Sequence, residues 1–158
     1  MPHVPFHYRT LDDLRAEIDE LGVDLPLQED LSPMAQRLTI GRQAAPNRFA
    51  VQPMEGCDGT RDGRPDTLTP RRYIRFGRGG AGLLWFEATA VVAEARANPR
   101  QLLLNASTAS SFVQLRERAL SAARQTNGAG ARPYTVLQLT HSGRYSRASD
   151  PEPSRENE

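Results

Sequence analysis

The chain has 158 residues, 20 basic and 19 acidic side chains, a net charge of +1, 38% hydrophobic residues and a mean hydropathy of -0.58. Every basic residue is arginine, which excludes Schiff-base, P-loop-lysine and Ser-Lys chemistry. The single Cys57 excludes an internal disulfide or a cysteine-rich metal site, and the near-neutral balance gives no reason to expect nucleic acid.

The longest apolar stretch, Gly82 to Ala93, is interrupted by Glu87 and falls short of the roughly 18 residues a membrane span needs. Met1 to Arg9 has no continuous apolar run of the signal-peptide kind. These features predict a cytoplasmic protein with no membrane or metal site. Leu, Ile, Val and Phe make up about one residue in five, and none of them falls in Ser146 to Glu158. Order is therefore expected where they cluster and looseness in that tail.

Residues 1–46 read as an N-terminal extension. Thr10 followed by Asp13 forms a capping box, Leu11, Leu14, Ile18 and Leu21 repeat at helical spacing, and Gly22 supplies the stop. Pro26, Pro33 and Pro46 break the following chain into turns, and Arg37 to Ala45 around Gly41 suits a small hairpin.

From Asn47 strand and helix alternate. Arg48 to Pro53 is a predicted strand, and Thr69-Pro70 opens a predicted helix with Tyr73, Ile74 and Gly77 on one face. Gly82 to Glu87 is an apolar run of the kind buried on both faces of a parallel sheet. Thr108 to Asn127 carries the stripe Phe112, Leu115, Ala119 and Ala122, with Asn127-Gly128 as its C-terminal cap, and Pro133 to Leu139 is a third strand. Alternation in this order predicts right-handed βαβ units and a parallel sheet over residues 47–145.

Gly77-Arg78-Gly79-Gly80-Ala81-Gly82 satisfies the G-x-G-x-x-G spacing of dinucleotide sites. That motif works only after a strand and before a helix, where the pyrophosphate meets the helix N-terminus. Here the order is reversed, so the glycines are expected to end a helix and turn into the second strand. The strand ends are more informative: Gln52-Pro53-Met54-Glu55, Glu87-Ala88-Thr89 and Gln138-Leu139-Thr140-His141 concentrate polar groups on one rim. Singly, each has a structural reading: Glu87 capping a turn, Gln138 satisfying backbone groups, His141 an ordinary loop histidine.

In order and spacing, Asn47-Arg48-Phe49 leading to Pro53-Met54, Gly79-Gly80-Ala81-Gly82-Leu83, Glu87-Ala88-Thr89-Ala90 and Gln138-Leu139-x-His141-x-Gly143-Arg144 resemble the Old Yellow Enzyme family. The likeness is to its NADH:flavin oxidoreductase and 2,4-dienoyl-CoA reductase-like members. It covers about residues 34–147 and would be the N-terminal portion only. It implies α/β architecture, a partial (β/α)8 TIM barrel with the first three parallel strands and two helices, carrying FMN and taking electrons from NADH or NADPH. By resemblance Pro53, Met54, Ala88 and Gln138 contact the cofactor. The amide of Gln138 suits a ring edge bearing an N–H beside carbonyl oxygens. Glu55 stands where many relatives have Thr or Cys, and Cys57 is read as an inert loop thiol. His141 and Arg144 line the substrate pocket, or Arg144 ties down its loop, with Glu55 a further pocket residue.

A complete barrel takes about 250 residues, so the resemblance places the family's catalytic residues and phosphate-binding loops beyond Glu158. Three readings follow: part of an FMN-dependent ene-reductase acting on a small molecule, a half-enzyme completed by a C-terminal half or by self-association, and a non-enzymatic binding or interaction module.

Overall fold

The computed structural model describes Pro5 and residues 7–149, and the chain divides into compact units at Leu31/Ser32. The first unit holds helix α1 (Leu11–Leu21). Thr10 Oγ1 accepts from Asp13 N at 3.1 Å while Asp13 Oδ2 accepts from Thr10 N at 2.9 Å, the reciprocal capping box its sequence implies. Gly22 ends the helix at φ 62, in the left-handed region that a Cβ disfavours. Arg15 bridges Asp12 at 2.9 Å and Glu29 at 2.7 Å. No residue of α1 is buried, so its order rests on caps and local ion pairs.

The second unit opens with a one-turn helix α2 (Ser32–Ala35) and a hairpin, β1 (Leu38–Ile40) paired antiparallel with β2 (Gln43–Ala45), turning at Gly41 with φ 59. Strands β3 (Ala50–Val51), β4 (Leu83–Ala90) and β5 (Tyr134–Thr140) then form a parallel sheet in the order β3-β4-β5. The crossovers are α3 (Leu68–Arg78) and α4 (Ala109–Asn127). Mixed α/β architecture with a parallel sheet is the result. Among the described residues no helix is long and apolar enough to cross a membrane.

Several details depart from the sequence reading. The unit boundary falls at Leu31/Ser32 rather than at residue 46, because the hairpin belongs with the sheet: Ala45 is buried, and Arg48 N donates to Met34 O at 2.9 Å. The first strand shrinks to two residues, since β4 offers β3 a partner only over Leu83 and Leu84. Helix α3 starts at Leu68, not Pro70, because Thr69 is drawn inward to donate its hydroxyl to Asp58 Oδ1 at 2.6 Å. The chain from Ser146 is not loose at its start, as Arg147 N donates to Arg96 O at 2.7 Å; the remainder of that tail, 150–158, lies outside the described residues.

Side chains alternate across β4. Leu84 and Phe86 pack with Tyr73, Leu115 and Ala119 of the helices as the main core. The opposite face is open rather than buried, with Trp85 37% exposed. The helices cover one side of the sheet only. A second cluster, Ala90, Ala95 and Leu103, fastens the long connection after β4, where Leu103 bridges to Ala90.

The glycines after α3 serve packing. Gly79 caps α3 and the chain turns directly into β4, so the glycine run follows a helix and precedes a strand. A Cβ at Gly77 would lie 2.2 Å from Ala119 O, which lets α3 and α4 approach closely. Gly77→Ala is expected to lower stability by about 1–3 kcal/mol, read as an earlier midpoint in urea at unchanged slope.

Candidate active site

All three strands run the same way, so the segments after Val51, Glu87 and Gln138 share one rim. The ladder slips between Phe86 and Thr89, where a bulge sets Glu87 and Ala88 against Gln138. Bulges re-aim side chains next to sites, and here the bulged pair divides its work.

Glu87 is turned inward. Its carboxylate, 2% exposed, pairs with Arg72 Nη2 and accepts from Gly56 N at 3.0 Å. Tyr73 OH donates to the same carboxylate at 3.3 Å and accepts from Glu87 N at 2.7 Å. Arg72 also pairs with Asp58, which accepts from Thr69 as well. One guanidinium thus ties α3 to β4 and to the loop 52–60. The Tyr73 ring stacks on Phe86 at 4.3 Å, and burial, then the Glu87 charge, pushes its phenol well above the usual range. Burial alone would lower Arg72, but the two carboxylates hold its charge more firmly than usual. The expected turn-capping role of Glu87 is therefore replaced by anchoring of the loop that carries Pro53, Met54 and Glu55.

Asp58 makes this anchor sensitive to acid. Burial raises its carboxyl pKa, yet hydrogen bonds from Arg72 and Thr69 outweigh that and bring it below its ordinary value of 3.8. A depressed folded-state pKa contributes stability at neutral pH that is lost as pH falls from about 4 downward. We expect the unfolding free energy to drop in that window, and Asp58→Asn to flatten this part of the profile, as followed by circular dichroism in urea.

At the rim, Gln101 joins the three strand ends. It is 2% exposed, and its Nε2 donates to Ala88 O at 3.1 Å, to Glu55 Oε1 at 3.3 Å and towards Thr140 Oγ1 at 3.4 Å, while its Oε1 accepts from Ala97 N at 2.6 Å. Nothing in a loop between strands marked this residue in the sequence; only its burial does. Arg96, equally hidden, gives its guanidinium to the carbonyls of Arg61, Pro99 and Gln101 and so closes the same connection onto the loop after β3.

The residues singled out from sequence occupy distinct surroundings. Met54 is 75% exposed and Pro53 half-buried beside it. Ala88 is buried, with its carbonyl already accepting from Gln101. Gln138 is half-buried, and its amide has no hydrogen-bond partner among the described residues. Glu55 is held by Gln101 and, at 3.3 Å, by Asn98; partial burial and the Glu87 charge raise its pKa. Cys57 is exposed at φ 49, and partial desolvation followed by the charges of Glu55 and Glu87 raises its thiol pKa, which disfavours the reactive thiolate. His141 and Arg144 are both exposed: His141 Nδ1 accepts from Gly143 N at 3.0 Å, and Arg144 lies over the Tyr145 ring and donates to its hydroxyl at 2.7 Å.

Neither a protein-family model nor a curated protein matches the chain. Solved structures do. The Old Yellow Enzyme homologue from Zymomonas mobilis aligns at 22% identity and a TM-score of 0.56, covering 68% of this chain and 28% of that one. The Old Yellow Enzyme from Trypanosoma cruzi aligns at 23% and 0.55, covering 73% and 28%. Morphinone reductase, solved with tetrahydroNAD, aligns at 24% and 0.54, covering 72% and 28%. The chain spans less than a third of the length of these structures, and over that span it has the fold of the Old Yellow Enzyme homologues.

Proposed function

We propose that the chain is the N-terminal part of a partial (β/α)8 barrel belonging to an FMN-dependent NAD(P)H oxidoreductase of the ene-reductase type. The observation that carries this is the half-buried, unpartnered amide of Gln138 on the same rim as Met54 and Ala88. An amide left without a protein partner keeps its donors and acceptor for a ligand at the rim. One acceptor and two donors in that position suit the ring edge of a flavin, with the Met54 side chain against its face and the second lone pair of the Ala88 carbonyl at its edge. FMN, when bound, supplies the hydride relay between NAD(P)H and an activated C=C bond of a small-molecule substrate. The chain's own part in this is to place the loop 52–60 through Arg72, Glu87 and Asp58 and to hold the Ala88 carbonyl through Gln101. Glu55, His141 and Arg144 are assigned to the substrate side, and the setting is the cytoplasm.

On this reading the chain supplies ring contacts, and among the described residues no glycine-rich loop opens a helix to receive a phosphate. The test follows. Quenching of flavin fluorescence should give weak, equal binding of riboflavin and FMN to the chain, within about twofold, with Gln138→Leu weakening both about tenfold through the loss of two hydrogen bonds at about 0.5–1.5 kcal/mol each. No quenching of either flavin, or a Gln138→Leu variant that binds as well as the parent, would remove the reading.

A second reading, completion by a C-terminal half or by a second copy, has one observation in its favour. Among the described residues β5 has no neighbour on its outer edge, and beside it Phe86, Phe112, Val113, Val136 and Leu137 line an apolar groove of about 310 Å³. An open strand edge is a template for pairing.

A further inference from the structure

Arg15, Arg64, Arg72, Arg100 and Arg116 pair with carboxylates. Among the arginines without such a pair among the described residues, four share one place. Arg71, Arg75 and Arg78 on the outer face of α3 and Arg118 on α4 line a groove of about 550 Å³ away from the rim, and none of the four has an ion pair.

Their spacing has a local cost. Arg71 and Arg75 are four residues apart and Arg75 and Arg78 three, so like charges neighbour one another along the helix, an arrangement that destabilises it. Arg75 and Arg78 in the last turn complement the helix dipole, but Arg71 stands in the first turn, where positive charge is disfavoured and no acidic residue offsets it. The lone carboxylate in the lining, Asp66, is engaged by Arg100 at 3.2 Å. An anion in the groove would reverse this repulsion.

We propose that the groove binds a linear oligophosphate. Guanidinium forks match phosphate oxygens two at a time. With a rise of about 1.5 Å per residue, the three α3 arginines extend over about 10 Å of helix, long enough for several phosphates in a row rather than one. The lining contains no aromatic ring, only Ile74 and prolines as apolar groups. It therefore lacks the stacking platform by which nucleobases are held, so the ligand is charge without a ring. This site is independent of the flavin reading and lies on the helical face of the sheet, not at the strand ends.

Calorimetric titration of the full chain at low ionic strength tests it, with sodium tripolyphosphate as the probe. Tripolyphosphate should bind at least tenfold more tightly than orthophosphate, with added salt weakening it. Arg71→Gln combined with Arg75→Gln should weaken binding at least tenfold, and Arg75→Glu combined with Arg118→Glu should abolish it, while Arg48→Gln, exposed and outside the groove, leaves it unchanged. All four groove arginines are exposed, so the variants should keep the parent circular dichroism spectrum. Equal affinity for orthophosphate and tripolyphosphate, undiminished binding by the folded double variants, or tighter binding of an oligoglutamate peptide would overturn the proposal, the last in favour of an acidic protein segment.

Discussion

Replacing Arg72 by Met is expected to destabilise the sheet unit by about 3–5 kcal/mol, because it leaves two buried carboxylates facing each other without a cation. Asp58 is 8% and Glu87 2% exposed, and both lean on this one guanidinium. The loss is a large share of the 5–15 kcal/mol that holds a typical domain together. Urea titration at pH 7 should show the midpoint fall steeply. Combining Arg72→Met with Asp58→Asn and Glu87→Gln should recover part of the loss, since the uncompensated charge then disappears. Unchanged stability in the single variant would mean that water already reaches the pair and screens it.

The second large effect concerns the flavin. Purified alone, the chain is expected neither to retain FMN nor to oxidise NADH. Each charge-assisted hydrogen bond to a phosphate contributes on the order of 1.5–3 kcal/mol, so forgoing several weakens binding by orders of magnitude. The open face that shows Trp85 to solvent also cannot enclose a nicotinamide in a dry site. Absorbance of the purified protein and an NADH-oxidation assay with added FMN check both statements. A yellow, stoichiometrically loaded protein would instead show that a second copy completes the site, with the β5 edge as the natural place for it to join.

What could be read in the sequence was what depends on neighbours along the chain. The Thr10–Asp13 box, the Gly22 stop, the turn at Gly41 and the stripe of Phe112, Leu115 and Ala119 are all local patterns, because capping and periodicity act over three or four residues. The order of helix, glycines and strand was equally legible, and it argues against a dinucleotide loop at Gly77 to Gly82. The segments holding Met54, Ala88 and Gln138 could be placed on one rim because parallel strands put their carboxyl ends on one side, while the family resemblance singled out those three residues within them. Tertiary structure alone decided what each of them has free to offer. Glu87 reads as a rim carboxylate like Glu55, yet the bulge after Phe86 turns it towards Arg72 and Tyr73 while Glu55 stays at the surface. Gln101 reads as one polar residue in a loop, and becomes the link among three strands only because Glu55, Ala88 and Thr140, up to 85 residues apart in sequence, converge around it. Such pairings are set by desolvation: a buried charge or amide takes whichever partner the packing brings within reach, and that partner has no fixed distance along the chain.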